Sequence, residues 1–159
     1  MKLYIKQKVF SFKDKFTIKD EEGNDKYIVE GKFLSLGKKL YVFDKIGNEV
    51  AYIEQKVLSF MPKFFVYVKG EKIAEVHRKF TILKPLYEIT EKNWITSGKI
   101  LGHEYTITDN LSQSVVANIQ KAWLTWGDYY EVNINDKWDE ISVISVVLAI
   151  DAAIASIRK

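Results

Sequence analysis

Asp151 is the one charged side chain between Ile141 and Ile157, in a run that reads ISVISVVLAIDAAIASI. Buried charges are satisfied by partners, so the first expectation for Asp151 is a structural carboxylate with a polar neighbour. The sharper alternative is a carboxylate that does chemistry, because perturbed acids cluster at functional sites. No second acid, His or Cys accompanies it in the sequence, which favours the structural role. Three glutamines invite a similar reading. Gln7 and Gln55 share a face with the apolar residues of their strands, and Gln120 takes a matching third position. All three are expected to be buried and structural, meeting polar groups inside the fold such as Ser142, Ser145 or Asp151.

The other candidates are cationic. Lys32, Lys38, Lys39 and Lys45 surround neighbouring turns, and Arg78, Lys79 and Lys84 occupy the corresponding part of a later repeat. These seven are the candidate site for an anion or a lipid headgroup. A solvated Lys-rich strand surface, which discourages edge-to-edge pairing, is the simpler explanation. Gly31 to Lys39, GKFLSLGKK, imitates a phosphate loop but has the wrong spacing, a Lys where Ser or Thr is needed, and no helix after it. It reads as strand–turn–strand. The acidic stretch Asp20 to Asp25 lacks the calcium-loop spacing and fits a hairpin tip. His77 and His103 stand far apart without ligand-spaced companions and are expected on strand surfaces. No nucleophile elbow or carboxylate pair is visible, so neither catalytic residues nor a metal site is assigned, no cofactor is expected, and the protein is read as no enzyme. The aromatics Trp123, Trp126, Tyr129 and Tyr130 are assigned to the core in preference to base stacking, and nucleic acid is not an expected partner.

The element that must position Asp151 is a helix over 139–158. Its apolar run exceeds the usual strand length. Ala149, Ala152, Ala153 and Ala155 favour helix, Asp136 or Asp139 suits the N-cap, and Asp139 and Glu140 complement the helix dipole. At about 100° per residue, Ser142, Ser145, Ala149, Ala152, Ala153 and Ser156 form one narrow stripe, with Asp151 nearly opposite. A helix with no polar face is buried or spans a membrane. The run is shorter than the ~20 residues a bilayer core requires. Burial is therefore expected.

Residues 2–135 alternate between apolar and polar positions, and turn signals divide them. Gly23-Asn24, Gly47-Asn48, Lys69-Gly70 and Ser112-Gln113 read as hairpin turns. The predicted strands lie near 2–11, 15–20, 26–34, 39–44, 49–60, 64–69, 72–81, 84–90, 94–97, 100–108, 114–123 and 128–135. YIKQKVFSFKDKFTIK from Tyr4 returns as YIEQKVLSFMPKFFVY from Tyr52, and a fainter echo begins at Gln120-Lys121. The repeated unit contains four strands on this reading. Eight-stranded barrels fill their interior with their own side chains, and wider ones leave a lumen. A helix with its side chains is ~10–12 Å across. The fold expected is mainly β with one central helix: a closed antiparallel β-barrel of about twelve strands enclosing the hydrophobic C-terminal helix, one domain over 1–159.

Composition agrees with this picture. Two prolines in 159 residues and 14% aromatics suit an ordered β-rich domain. Cysteine is absent, which removes disulfides and thiolate chemistry. The opening MKLYIKQKVF has no long apolar run of the secretory kind, so the cytoplasm is the expected location. The net charge of +3 conceals an acidic 102–159 and a basic 1–101. A basic face could attract an anionic membrane surface.

The opening KLYIKQKVFSFKDKFTIKDEEGNDKYIVEGKFLSLGKKLYVFDKIGNEVAYIEQK, together with the solitary apolar C-terminal helix, resembles the LURP-one-related proteins over essentially the whole chain. The resemblance implies a tubby-like fold, a twelve-stranded barrel threaded by a hydrophobic helix. Tubby domains, which share that architecture, bind phosphoinositides and tether to membranes. No motif here aligns with their lipid-binding residues, and neither the palmitoylated cysteine cluster nor the acidic calcium segment of the related scramblases is present. The functional expectation carried by this fold is a non-enzymatic barrel that binds lipid of the phosphoinositide type at the membrane periphery. A protein-interaction or scaffold domain without a lipid ligand is the alternative.

Overall fold

The computed structural model describes residues 1–6, 15–34, 37–56, 60–61, 63–79, 81–82 and 84–157. Twelve strands precede one long helix. They are β1 (Lys2–Lys6), β2 (Lys15–Lys19), β3 (Asp25–Leu34) and β4 (Gly37–Phe43). Then come β5 (Glu49–Gln55), β6 (Lys63–Val68), β7 (Glu71–Lys79) and β8 (Leu86–Thr90). The last four are β9 (Trp94–Lys99), β10 (Glu104–Asp109), β11 (Val115–Leu124) and β12 (Gly127–Ile134), followed by α1 (Glu140–Ile157). Each strand pairs antiparallel with its neighbour in sequence, and β1 also pairs with β12, so the sheet is a closed barrel. Closure sets Leu3 against Val132 and Ile5 against Tyr130. A closed sheet has no unpaired edge to aggregate through.

Antiparallel order sends alternate connections to opposite rims. The turns at 20–24, 44–48, 69–70, 91–93 and 110–114 share the upper rim with the start of α1. The connections from β5 to β6, β7 to β8, β9 to β10 and β11 to β12 share the lower rim, toward which α1 runs. Upper-rim turns are tight for local reasons. Asp20 Oδ1 accepts from the backbone N–H of Glu22 and Asn24, and Asp44 Oδ1 does the same for Ile46, Gly47 and Asn48. These bonds hold both carboxyls below their ordinary range. Gly23 and Gly47 supply the left-handed φ values of 85° and 99° that the turns need. Four register shifts, in β2–β3, β4–β5, β6–β7 and β10–β11, all fall beside upper-rim turns. Bulges increase local twist, and here they concentrate the curvature that closes the barrel.

Period-two alternation aims one face of each strand inward. In β4, Lys38, Leu40 and Val42 are buried; in β6, Phe64, Val66 and Val68. These rows meet α1, whose residues from Ile141 through Ile154 are all buried. Asp139 caps the helix, its Oδ2 accepting from the Ser142 N–H at 3.1 Å and the Ser142 hydroxyl at 2.6 Å. Lys26 Nζ and the Tyr27 hydroxyl donate to Glu140 at 2.9 and 2.5 Å and anchor that first turn to β3. The helix lies closest to β5, β6 and β7. Asp151 reaches β12, six places around the ring from β6. Since the Ser/Ala stripe is opposite Asp151, it is the smooth side that rests on β6.

Most strands begin and end close to the predicted limits. β5 stops at Gln55 where the prediction ran to 60, and the predicted 7–11 part of the first strand lies outside the described residues. Residues 100–102 form a 3-10 turn and not the start of a strand, because His103 ends it in a left-handed conformation at φ 54°. The three four-strand blocks open at Lys2, Glu49 and Trp94, which agrees with the repeat of the first two. The echo at Gln120 lies in β11, two strands out of phase with the third block.

The helix gains its stability from enclosure, and this yields a direct comparison. Leu148→Ala removes a fully buried side chain and should destabilise by about 2–5 kcal/mol. Leu111→Ala, at an exposed turn, should stay within about 0.5 kcal/mol of the parent. Urea unfolding of the two variants distinguishes an enclosed helix from a peripheral one, for which the two costs would be similar.

Candidate functional site

The polar chemistry inside the barrel gathers around Asp151, on the lower-rim half of α1. Its carboxylate is 5% exposed and accepts a hydrogen bond on Oδ2 from the Tyr130 hydroxyl of β12. His103 Nε2 lies 3.4 Å from Oδ1. The imidazole stacks flat on the Tyr130 ring, with centroids 4.1 Å apart and planes at 3°. The left-handed backbone at His103, with its N–H donating to Ile100 O, turns the ring over the lumen. Tyr105 and Tyr87 complete the surround; the Tyr105 hydroxyl is buried with no hydrogen-bonding partner among the described residues. Burial pushes the phenols of Tyr105 and Tyr130 well above the usual tyrosine range, and the negative charge of Asp151 adds to it in both. Burial also raises Tyr87, where Arg78 acts in the opposite direction and Asp151 reinforces the rise.

Sequence reasoning misplaced Trp123, assigned to the core: it is 75% exposed near the lower end of β11. His103 is the larger miss. It was expected on a strand surface, and instead it covers a carboxylate 48 positions away. His77 does lie on the outer face of β7, opposite Lys63. No group of three or more His, Asp or Glu side chains is placed to hold a metal among the described residues.

The glutamines divide. Gln7 lies outside the described residues. Gln55 continues the inward row of Ala51 and Ile53 at the lower rim, half-buried, its Oε1 accepting from the Lys38 N–H at 3.3 Å. Gln120 corrects the expectation of burial: it is exposed on the outer face of β11 and donates to Glu131 Oε2 at 3.0 Å. Register decides this, since Ala117 and Ile119 take the inward positions of β11 and leave Asn118 and Gln120 outside.

The seven cations divide as well. Lys38 and Arg78 follow the inward rows of β4 and β7, Lys38 being buried and Arg78 half-buried opposite Tyr87. Lys32 and Lys39 lie on the outer face, over the rings of Tyr41 and Tyr52, with Lys39 Nζ 3.9 Å from Glu54. Lys79 and Lys84 are exposed at the lower rim. Lys45 is corrected: its turn belongs to the upper rim, at the opposite end of the barrel from the other six.

A buried carboxylate held by one hydroxyl gives a measurable coupling. Tyr130→Phe should cost about 1–3 kcal/mol of stability, because the buried Asp151 carboxyl group loses its hydroxyl donor. In an Asp151→Asn background the same change should cost less, a neutral amide being a weaker acceptor than a carboxylate. Equal losses in both backgrounds, measured by urea unfolding, would show that Tyr130 does not act through Asp151.

Comparison with known proteins places this geometry in a family. The sequence matches the profile of the LURP-one-related proteins over residues 1–151. It is 34% identical over 151 residues to the uncharacterised protein YxjI of Bacillus subtilis (strain 168), an alignment covering 95% of this chain and 92% of that one. An X-ray structure of a protein from Arabidopsis thaliana superposes with a TM-score of 0.66 at 17% identity, covering 94% of this chain and 88% of the other, and so shares the fold. A profile match over nearly the whole chain, a relative at one-third identity and a common barrel together make this protein a member of the LURP-one-related family.

Proposed function

We propose that this barrel is a non-catalytic lipid-binding module that docks its lower rim on an anionic membrane surface. The observation that carries the reading is the placement of exposed apolar side chains. Phe60, Ile82, Leu101 and Trp123 belong to four successive lower-rim segments, and each is at least half exposed. Exposed lysines share that half of the barrel: Lys6, Lys32, Lys56, Lys79, Lys84 and Lys99. Ile46 and Leu111 are exposed on the upper rim, but there Glu21, Glu22, Glu91, Asp136 and Asp139 stand beside Lys45, Lys69, Lys92 and Lys137. The lower rim is the more basic end and attracts anionic lipid more strongly.

Magnitudes favour a surface that works by addition. A lysine near an anionic leaflet contributes about 1 kcal/mol. Fully burying a Phe or Ile side chain contributes roughly 1.5–3 kcal/mol. Neither is strong alone; four tips with a collar of lysines suffice for reversible peripheral binding. Among the described residues no helix is long and apolar enough to cross a membrane, and α1 is enclosed by protein. Attachment on this reading is therefore through the rim. A phosphoinositide would add charge to the same attraction, with Lys32, Lys79 and Lys84 the exposed members of the predicted cationic set at that end.

Sedimentation with phosphatidylcholine vesicles, with and without phosphatidylserine or a phosphoinositide, tests the proposal. Binding should require the anionic lipid and weaken as salt rises. Phe60→Ser with Ile82→Ser should lower affinity by about tenfold or more, while Ile46→Ser with Leu111→Ser should leave it unchanged. No sedimentation at low salt would remove the lipid reading in favour of a protein-interaction domain.

A further inference from the structure

An open groove lies on the outer wall of the barrel. It occupies about 660 Å³ across β9 to β12, within the size range of small-ligand sites. Its lining is polar: Thr106, Asn118, Gln120, Glu131 and Asn133 contribute to it, and Trp123, 75% exposed, borders it toward the lower rim. We infer that this groove binds a polyhydroxylated ring, a saccharide or polyol, through the fixed amides of Asn118 and Gln120, with the exposed Trp123 at its lower border. This goes beyond the membrane reading and does not need it.

The argument rests on how the polar atoms are held. Thr106 Oγ1 donates to Asn118 Oδ1 at 3.0 Å. That bond orients the amide and leaves the Asn118 Nδ2 hydrogens without a partner among the described residues. Gln120 Nε2 donates to Glu131 Oε2 at 3.0 Å, which leaves Gln120 Oε1 as an acceptor. Glu131 is itself fixed, accepting on Oε1 from the Tyr4 hydroxyl at 3.0 Å with Lys2 Nζ at 3.8 Å. The Tyr4 phenol is pushed up to about 12, by burial first and then by Glu131, so it remains a donor. The groove therefore presents a held donor and a held acceptor on one strand, two residues apart.

A sugar hydroxyl both donates and accepts, which suits such a pair; an amide offers both functions from one side chain. Other ligand classes fit less well. Glu104 and Glu131 disfavour phosphate and nucleic acid, with Lys121 the one lysine in the lining. An apolar ligand would strand the amides. An exposed indole offers a rigid apolar plane at low entropic cost, the property that makes tryptophan useful in recognition.

Ligand-observed saturation-transfer NMR on the full chain, with cellotetraose and chitotetraose as probes, tests the inference. Millimolar binding of at least one is expected. Asn118→Ala with Gln120→Ala should weaken it by about tenfold, and Trp123→Ala by a similar factor. Asn118 and Trp123 are exposed, so Asn118→Ala and Trp123→Ala alone should keep the parent's urea midpoint. Gln120→Ala takes a donor from the buried Glu131 and is read only in denaturant-free conditions where it remains folded. A glycolipid arm separates sources: if the natural ligand is a headgroup, neutral phosphatidylcholine vesicles carrying a glucosyl diacylglycerol sediment the parent and not the double variant. Absence of transfer from both tetrasaccharides together with no glycolipid sedimentation overturns the inference. So does binding unaffected by the Asn118/Gln120 double variant.

Discussion

A helix without a polar face and a sheet without a second layer each lack a stable surface alone, and this fold exists because each covers the other. α1 presents apolar side chains around nearly its whole circumference. The barrel offers an inward row from every strand. Twelve strands make the lumen wide enough for one helix, and the helix removes the void that so wide a barrel would otherwise contain. The Ser/Ala stripe toward β6 shows how fine the fit is, for the axis is displaced to the side where the helix is slimmest. That displacement leaves room on the other side, where Asp151, Tyr130, His103 and Tyr105 are accommodated.

Much of this was legible in the chain. The apolar run from Ile141 implied enclosure, alternation with turn signals implied about twelve strands, and Asp139 was among the residues expected to cap the helix. What failed depended on register. Whether Gln120 faces the lumen or solvent turns on which of two adjacent residues pairs with Glu131 across β11–β12, and shifting by one residue reverses every side chain. The same ambiguity concealed the inward course of Lys38 and Arg78. His103 failed for another reason. Its role depends on a left-handed residue after a short 3-10 turn, a conformation signalled by glycine or asparagine more than by histidine, and on a partner far away in sequence.

Division of labour between the two rims is the feature most relevant to function. Turns of the upper rim are short, acidic and tied by Asx-type bonds; the lower rim carries lysines and apolar tips. Barrel walls transmit little of this difference, since each strand alternates independently of what its ends carry. The scaffold can therefore keep its core while its rims and outer grooves diverge, which is why a shared fold alone does not assign a ligand.

Chain order has a consequence for how such a molecule is made. The first strand completes the ring only by meeting the twelfth, and the rod at the centre follows both. During synthesis the growing sheet has no filler for its interior until nearly everything else has left the ribosome. Contacts of this sequence separation form slowly. Until the helix emerges, the inward apolar rows of the strands have nothing to cover them, and surface of that kind makes incompletely folded chains prone to aggregation.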